Sequence, residues 1–424
     1  MPWQPFLPYN AILCRYNEIG TKGRNRGFFE ERLCQMLQKR LAPIGKFRII
    51  YDSGRIFLLP MGEKICLTKE DVALCRQMIP TIAGVSSISP GFYLEPTLDA
   101  VEGCVCRYFS EVCEAYIAAN TPDQNGEYSY AMRARRSNKE FSMTSEELER
   151  YFAEKLLSDH PELSLDLRHA GMVVEVEIRR KRAFVSFERI AGPGGLPSGS
   201  GGCVLALLSG GFDSPVACYQ MMRRGCSVDF LTFHSSPYTP PATVTKVCTI
   251  VRKLNQFQKP GKLLSINLLP AQKAVRDLCR SRFRTILYRR FMIRIANVVT
   301  QKLGCQAIVT GDNLGQVASQ TMENMATISQ AAEFMVLRPL LTFEKLETME
   351  LARKIDTFDI SSEDVPDSCT VFAPARPSTM ADPEAIYEDE RGLDIPSLMT
   401  KCLKSAVLIN ATTGRERPMP ELGS

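Results

Sequence analysis

Six residues near the middle of the chain, Ser209-Gly-Gly-Phe-Asp-Ser214, bring two hydroxyls, two glycines and a carboxylate together directly after the apolar run Leu205–Leu208. The run reads as a buried strand, and the glycines let the backbone turn tightly at its end. The amides of Gly210 and Gly211, with those of Phe212 to Ser214, then converge on one anion. Ser209 and Ser214 add hydroxyl donors, and a helix beginning near Pro215 turns its positive end toward the same point. A plain strand–turn–helix connection is the competing reading, and Pro215 at a helix's first turn fits both. The Gly-Lys-Ser/Thr ending of a Walker loop is absent.

Other chemistry is constrained by what the chain holds. Its 15 cysteines are an odd number, and the tightest spacing is Cys104-Val-Cys106, with no Cys-x-x-Cys pair. With only three histidines, classical zinc sites and four-cysteine iron–sulfur sites have little to draw on, so no iron–sulfur cluster is expected. The first residues lack both a basic start and a continuous apolar stretch, and no run nears the roughly 18 apolar residues of a membrane span. These features predict a cytoplasmic protein without a membrane partner, its cysteines serving mainly as small core residues. Net charge is only +5, but basic runs recur at Arg24–Arg32, Arg133–Lys139, Arg179–Arg182 and Arg280–Arg290. Any one run could be a solvated face; four together favour a polyanionic partner.

At 424 residues, 45% hydrophobic and 23% charged, the chain is long enough for two or three globular domains. Near the start, a strand, a helix, a hairpin around Asp52-Ser53-Gly54, a helix over Lys69–Met78 and a returning extended segment suggest a split βαβ unit. A helix carrying Cys104, Phe109, Val112 and Tyr116 follows, then a strand that turns basic. A polar helix with a Thr144-x-x-Glu147 capping box comes next, and then two alternating strands. The glycine-rich stretch Gly192–Gly202 reads as a linker or a loop close to a ligand. Beyond it, four short apolar strands alternate with helices, the pattern of a parallel sheet covered on both faces. The expected division is 1–68, 69–190, a linker over 191–202, 203–395, and a divergent tail over 396–424.

The blocks NEIGTKGRNRGFFE, GPGGLPSG, SGGFDSPVA, HSSPYT, GDNLGQVASQT, LRPL and PDSCT occur in this order. In that arrangement the chain resembles the tRNA 4-thiouridine synthase family, in the form without a C-terminal rhodanese domain. The strand-Ser-Gly-Gly-x-Asp-Ser-helix loop is similar to that of the ATP pyrophosphatases, which split ATP into AMP and pyrophosphate. The resemblance implies a multidomain α/β and α+β fold: a ferredoxin-like N-terminal domain, a THUMP RNA-binding domain, and a doubly wound parallel-sheet adenylation domain. The implied activity adenylates the C4 oxygen of a tRNA uridine, at position 8 by the resemblance, and replaces it with sulfur. Two alternatives are an RNA-binding protein with a non-catalytic nucleotide site and a sulfurtransferase serving thiamine synthesis only.

Carried onto this sequence, the family's nucleotide contacts fall on Leu207, Leu208, Thr232, Phe233, Arg289, Gly311 and Gln320, beside Ser209, Gly210, Gly211 and Ser214. Asp213 is the expected catalytic residue, organising magnesium around the leaving pyrophosphate, with Asp312 as a helper. Gly311 is expected to let the chain pass close to the nucleotide, and Gln320 to sit on a helix. Cys369 aligns with the sulfur-bearing cysteine, and Cys402 is a distant second candidate. Lys22, Arg24 and Arg26, with Arg133, Arg135 and Arg136, are the expected RNA contacts. The implied partners are ATP with Mg2+, tRNA, a cysteine desulfurase, a second copy in a homodimer, and a thiamine sulfur-carrier protein as a further acceptor.

Overall fold

The computed structural model describes residues 3–423, save 53, 63 and the side chain of Cys369. The chain forms two compact units, Met1–Gly195 and Leu196–Ser424. The first begins β1 (Ala11–Arg15), α1 (Arg26–Leu41), β2 (Phe47–Asp52), β3 (Arg55–Pro60), α2 (Lys69–Met78) and β4 (Ser87–Leu94). Every residue of β1 is buried, as a strand paired on both edges requires, and its neighbours are antiparallel β3 and β4. The helix α1 buries Leu33, Cys34, Leu37 and Leu41 at helical spacing. Thr68 and Asp71 close a capping box at the start of α2.

The second half of this unit adds α3 (Leu98–Ala119), β5 (Tyr128–Arg136), α4 (Ser145–Asp159), β6 (Leu163–Leu165), β7 (Met172–Ile178), β8 (Ala183–Ser186) and β9 (Ile190–Ala191). All nine strands belong to one sheet ordered β2-β3-β1-β4-β8-β7-β5-β6, with β9 also on β4. The strand β4 makes this continuity: Ser87–Gly91 pair with β1, and Phe92–Leu94 pair with β8. At the handover sits Gly91, where a Cβ would lie 2.4 Å from the Val185 carbonyl oxygen and 2.6 Å from the Phe184 ring. The expected boundary at 68/69 thus falls inside the six-element ferredoxin-like unit, because α2 and β4 complete it.

The second unit runs β10 (Cys203–Leu207), α5 (Asp213–Arg223), β11 (Ser227–His234), α6 (Ala242–Leu254), β12 (Leu263–Asn267), α7 (Leu269–Leu278), α8 (Arg284–Leu303) and β13 (Ala307–Val309). It continues with α9 (Met322–Ser329), β14 (Met335–Leu337), α10 (Lys345–Lys354), α11 (Phe358–Ser362), α12 (Pro383–Arg391), α13 (Ile395–Lys404), β15 (Val407–Ile409) and β16 (Glu416–Pro418). The sheet order is β14-β13-β10-β11-β12-β15-β16. Five strands are parallel, β15 adds antiparallel to β12, and β16 adds antiparallel to β15. Alternation along β10 feeds two cores: Leu205 packs with the α8 side, while Val204 and Ala206 pack with the α5 and α6 side.

Residues 396–424, expected as a divergent tail, hold α13 and the strands β15 and β16, which extend the sheet past β12. Residues 371–382 form no helix or strand, and α12 after them supplies Glu390 to the buried Arg290, through Nε–Oε1 and Nη2–Oε2 at 2.8 Å each. The Gly192–Gly202 stretch is anchored rather than loose. Gly192 and Gly194 donate to Ser86 and Val85 in the first unit, while Leu196 and Gly201 donate to Arg223 and Gly225 in the second.

Candidate active site

Strand order reverses at β10, whose neighbours β11 and β13 lead the chain in opposite directions, so a crevice opens at their carboxyl ends. There a cavity of about 280 Å³ is lined by Leu207, Leu208, Ser209, Gly211, Asp213, Ser214, Phe233, Arg289, Gly311 and Gln320, with residues of the surrounding loops. Of the expected nucleotide residues, Thr232 and Gly210 lie off this wall. Thr232 is buried in the sheet opposite Ser265. Gly210 turns to a neighbouring cavity of about 220 Å³, which it shares with Gly211, Thr243, Lys246 and the segment 361–367.

The loop is held from within. Ser214 Oγ accepts from the Ser209 amide at 3.0 Å and lies 3.2 Å from Ser209 Oγ. The Ser209 amide is therefore committed to the protein, and the Gly211 amide makes a long bond of 3.4 Å to Ser209 Oγ that an anion at the start of α5 could replace. Gly311 has a reason other than the expected one. A Cβ there would sit 2.7 Å from the Ser214 nitrogen, so the missing side chain lets the end of β13 pack directly against the first turn of α5.

Two arginines face the cavity from a single buried carboxylate. Asp312 pairs with Arg289 through Oδ1, while its Oδ2 accepts from Thr310 Oγ1 at 2.8 Å and from Arg338 Nε at 3.2 Å. Burial works against the Asp312 charge, but Arg289, Thr310 and Arg338 hold it below the usual carboxylate range. Both oxygens are thus used, which corrects the reading of Asp312 as a magnesium helper: it orients guanidinium groups. Arg338 also reaches Ser329 Oγ at 2.8 Å. It lies in the LRPL block, yet nothing in the sequence marks it as sharing a partner with Arg289.

Asp213 behaves differently. Burial raises its pKa and the Asp312 charge adds to this, against the hydrogen bond from Gln316 and the charge of Lys345. Its Oδ2 accepts from Gln316 Nε2 at 3.1 Å, which leaves Oδ1 for a cation. Gln316 and Lys345 were not foreseen: the first lies in the loop of the GDNLGQVASQT block and the second opens α10 among other charged residues. Gln320 sits in a short 3-10 turn, Ala318–Gln320, before α9 rather than on the helix. Its buried Oε1 has no hydrogen-bond partner, an unmet acceptor at the cavity wall.

The side chain of Cys369 lies outside the described residues. Its neighbours Asp367 and Ser368 line the cavity. Ser368 is buried, with its Oγ 2.6 Å from Ser235 Oγ and its carbonyl accepting from Gln272 Nε2 at 2.8 Å. Cys402 is fully buried on α13, and burial lifts its thiol to about 11, so it is a packing residue.

In the first unit, β5 turns Arg133 and Arg135 outward, in register with Glu175 and Glu177 of β7. Those glutamates also pair with Arg15, Arg55, Arg179 and Arg189, so arginines outnumber carboxylates on this face. Arg136 points the other way and donates to the Phe141 carbonyl at 3.1 Å, so the three arginines do not form one patch. Lys22 and Arg26 hold Glu18 and Glu30 at 3.5 and 2.8 Å, whereas Arg24 is exposed. Most of the Arg280–Arg290 run is also paired: Arg280 to Asp389, Arg289 to Asp312 and Arg290 to Glu390.

Among the described residues no helix is long and apolar enough to cross a membrane. The family profile described as Thiamine biosynthesis protein (ThiI) matches residues 199–395. The ThiI ferredoxin-like domain matches 11–89, and the THUMP domain matches 107–188. A relative named probable tRNA sulfurtransferase from Alkaliphilus oremlandii is 34% identical over 93% of this chain and 97% of its own length. One of the same name from Moorella thermoacetica is 35% identical over 95% and 97%. A crystal structure of a 4-thiouridine synthetase–RNA complex with bound ATP aligns with a TM-score of 0.78 and 32% identity, covering 95% of this chain and all of that one. By domain content, length and identity, the chain belongs to the tRNA sulfurtransferase family.

Proposed function

We propose that this sulfurtransferase binds ATP in the cavity at the ends of β10, β11 and β13, adenylates a tRNA uridine and replaces its C4 oxygen with sulfur. The observation that carries the reading is the convergence of the Ser209–Ser214 loop, the arginine pair on Asp312 and the unmet Gln320 acceptor on one cavity. The ATP bound to the related 4-thiouridine synthetase supports the same ligand here. Leu207, Leu208 and Phe233 offer the base an apolar wall, and Gln320 Oε1 is free to accept from its amino group. The amides after Ser209 and the start of α5 suit the phosphates. Arg289 and Arg338, already oriented by Asp312, suit the charge that grows on them in the transition state, at no cost in reorganisation.

A magnesium ion fits the donors present, because Asp213 keeps one carboxylate oxygen for it and the phosphates would supply the rest. When bound, it would draw charge from the leaving pyrophosphate. The uridine C4 oxygen attacks the α-phosphorus and pyrophosphate departs, so the poor oxide leaving group becomes AMP. Sulfur then adds at C4 and AMP leaves with the former O4. Cys369 would carry that sulfur as a persulfide received from a cysteine desulfurase. Once its outer sulfur is bonded to C4, a second thiol opens the remaining S–S bond, leaving a disulfide for a reductant. The description of the matched profile supports sulfur delivery for thiamine synthesis as a further role. Nucleoside mass spectrometry of tRNA incubated with the chain, ATP, Mg2+ and a desulfurase tests the main reading. The expected product is 4-thiouridine with one pyrophosphate released per turnover, and tRNA unchanged in mass would refute it.

A further inference from the structure

A cluster in the first unit, far in sequence from the nucleotide loop, has donors for a metal. Cys113 on α3, His160 capping the end of α4, and Glu162 before β6 each present a ligand atom, and all three lie within 4.8 Å of one another. The carboxylate Oε1 is 3.8 Å from Cys113 Sγ and 3.1 Å from His160 Nδ1. Zinc bonds of about 2.3 Å to sulfur and about 2.0–2.2 Å to nitrogen and oxygen, at tetrahedral angles, require separations of about 3.5 and about 3.3 Å. The present spacings differ from these by a few tenths of an ångström.

The imidazole has a partner on each nitrogen. Its Nε2 lies 3.2 Å from Ser110 Oγ, and Ser110 sits one turn before Cys113 on the same face of α3. Phe109 meets the ring edge-on at a centroid distance of 5.2 Å. The Glu162 carboxylate only accepts, so without metal its 3.1 Å contact draws the ring proton to Nδ1; ligation through Nδ1 moves that proton to Nε2, where Ser110 Oγ can accept it as the outer partner. Cys113 is fully buried while the Glu162 side chain is 37% exposed, so the cluster is closed on the protein side and open to a water on the other.

We propose that Cys113, His160 and Glu162 bind a zinc-like divalent ion, with water as fourth ligand, and so pin α3 to the corner between α4 and β6. One sulfur, one nitrogen and one oxygen donor form a borderline set that suits zinc better than magnesium or calcium. Ligation exchanges the thiol proton for the metal, and thiolate plus carboxylate neutralise its double charge. Among the described residues the other cluster of this kind, Cys203 with Asp229 and Cys305, fits less well. Its sulfurs stand 3.0 Å apart, closer than the roughly 3.7 Å between two thiolates on one zinc.

The full chain, stripped with a chelator and titrated with cobalt(II), is expected to take up an ion with the near-ultraviolet thiolate-to-cobalt band and the visible bands of a tetrahedral site. Cys113→Ser should abolish the thiolate band, and His160→Gln should weaken zinc binding by tenfold or more, on the order of other ligand-shell losses. Ser110→Ala, which keeps all three ligands, should weaken it by about tenfold. Cys203→Ser should leave the band intact, separating the two clusters. Should Cys113→Ser not fold, as judged by far-ultraviolet circular dichroism, His160→Gln decides alone. A thiolate band that survives Cys113→Ser, zinc affinity unchanged in His160→Gln, or no cobalt uptake by the wild-type chain overturns the assignment.

Discussion

Glu390→Gln tests whether the residues past Thr370 are part of the nucleotide unit. The carboxylate is buried and takes both nitrogens of two forks: Arg290 at 2.8 and 2.8 Å, and Arg294 at 2.7 and 2.8 Å. Removing the charge from such a pair costs about 3–5 kcal/mol when the partner stays buried. Arg290, at 1% exposure, has no route to water. It keeps the Thr327 carbonyl and the Tyr387 ring 5.2 Å away, contacts common to both forms that do not replace the lost charge. Arg294 is one-fifth exposed and recovers solvent, so the lower end applies, about 3 kcal/mol. For a unit of this size that is a fall of roughly 6–12 °C in melting temperature. Calorimetry with and without ATP identifies the transition to watch, because ligand binding shifts only the unit that binds it. An ATP-sensitive transition within about 1 °C of wild type would refute the reasoning. A pH arm follows from the same group. Burial opposes the Glu390 charge, but Arg290 and Arg294 depress its pKa, so the unfolded chain takes up the proton first on acidification. This stabilisation is complete above the unfolded carboxylate value of about 4.3 and is lost as pH falls through the lower folded value. The wild-type-minus-variant difference should therefore shrink in acid.

Asp312→Asn keeps the shape but loosens Arg289 and Arg338. With charge-assisted bonds at about 1.5–3 kcal/mol each, tRNA-dependent pyrophosphate release should fall by about 100-fold, and an unchanged rate would show that the arginines need no anchor. Asp213→Asn should remove pyrophosphate release while leaving tRNA affinity near wild type in a filter-binding assay, since the basic face lies in the other compact unit. Equal loss of both would count against that separation. Arg133→Gln with Arg135→Gln avoids placing like charges against Glu175 and Glu177. It should flatten the slope of log affinity against log salt by about 1.5, and no change would mean that neither touches phosphate. Cys369→Ser should retain pyrophosphate release yet form no 4-thiouridine from desulfurase-supplied sulfur; a wild-type yield would make it a bystander.

The parts that were legible are those fixed by local pattern. The run Leu205–Leu208 ending in Ser-Gly-Gly announces a buried parallel strand and its turn, and the capping box at Thr144 appears as spelled. Residues that depend on distant partners were not legible. Arg289 and Arg290 are adjacent in one basic run. Yet the roughly 100° step of a helix sends the first to the cavity and the second into the core, where its partner lies on α12. Strand alternation separates Arg136 from Arg133 and Arg135, a period-two consequence hidden by reading the arginines as one block. The strands β15 and β16 are three residues each and take their identity from pairing that begins at β12, so the end of the chain resembled a tail.

The segment before Cys369 constrains how sulfur and uridine can meet. Lys246 Nζ donates to the carbonyls of Ser361 and Glu363 at 3.1 and 2.8 Å, and Thr243 Oγ1 donates to that of Pro366 at 2.9 Å. Gln272 and Ser235 hold Ser368. Residues 361–368 are thereby sewn to α6, α7 and the end of β11, elements that also carry the walls of the two cavities. Burial lowers the Lys246 pKa against the charges of Glu363, Asp367 and Asp364, and its stem passes Gly210, where a Cβ would lie 3.1 Å from it. The loop that receives phosphate and the segment that leads to the cysteine therefore share one rigid support. Swinging residues 361–368 away would leave the Lys246 ammonium without its carbonyls, and each charged hydrogen bond is worth about 1.5–3 kcal/mol. In the proposed reaction the activated uridine must then travel to the cysteine, rather than this segment to the uridine. The rim near Asp213, where Gln316 is exposed, is the side from which it can enter.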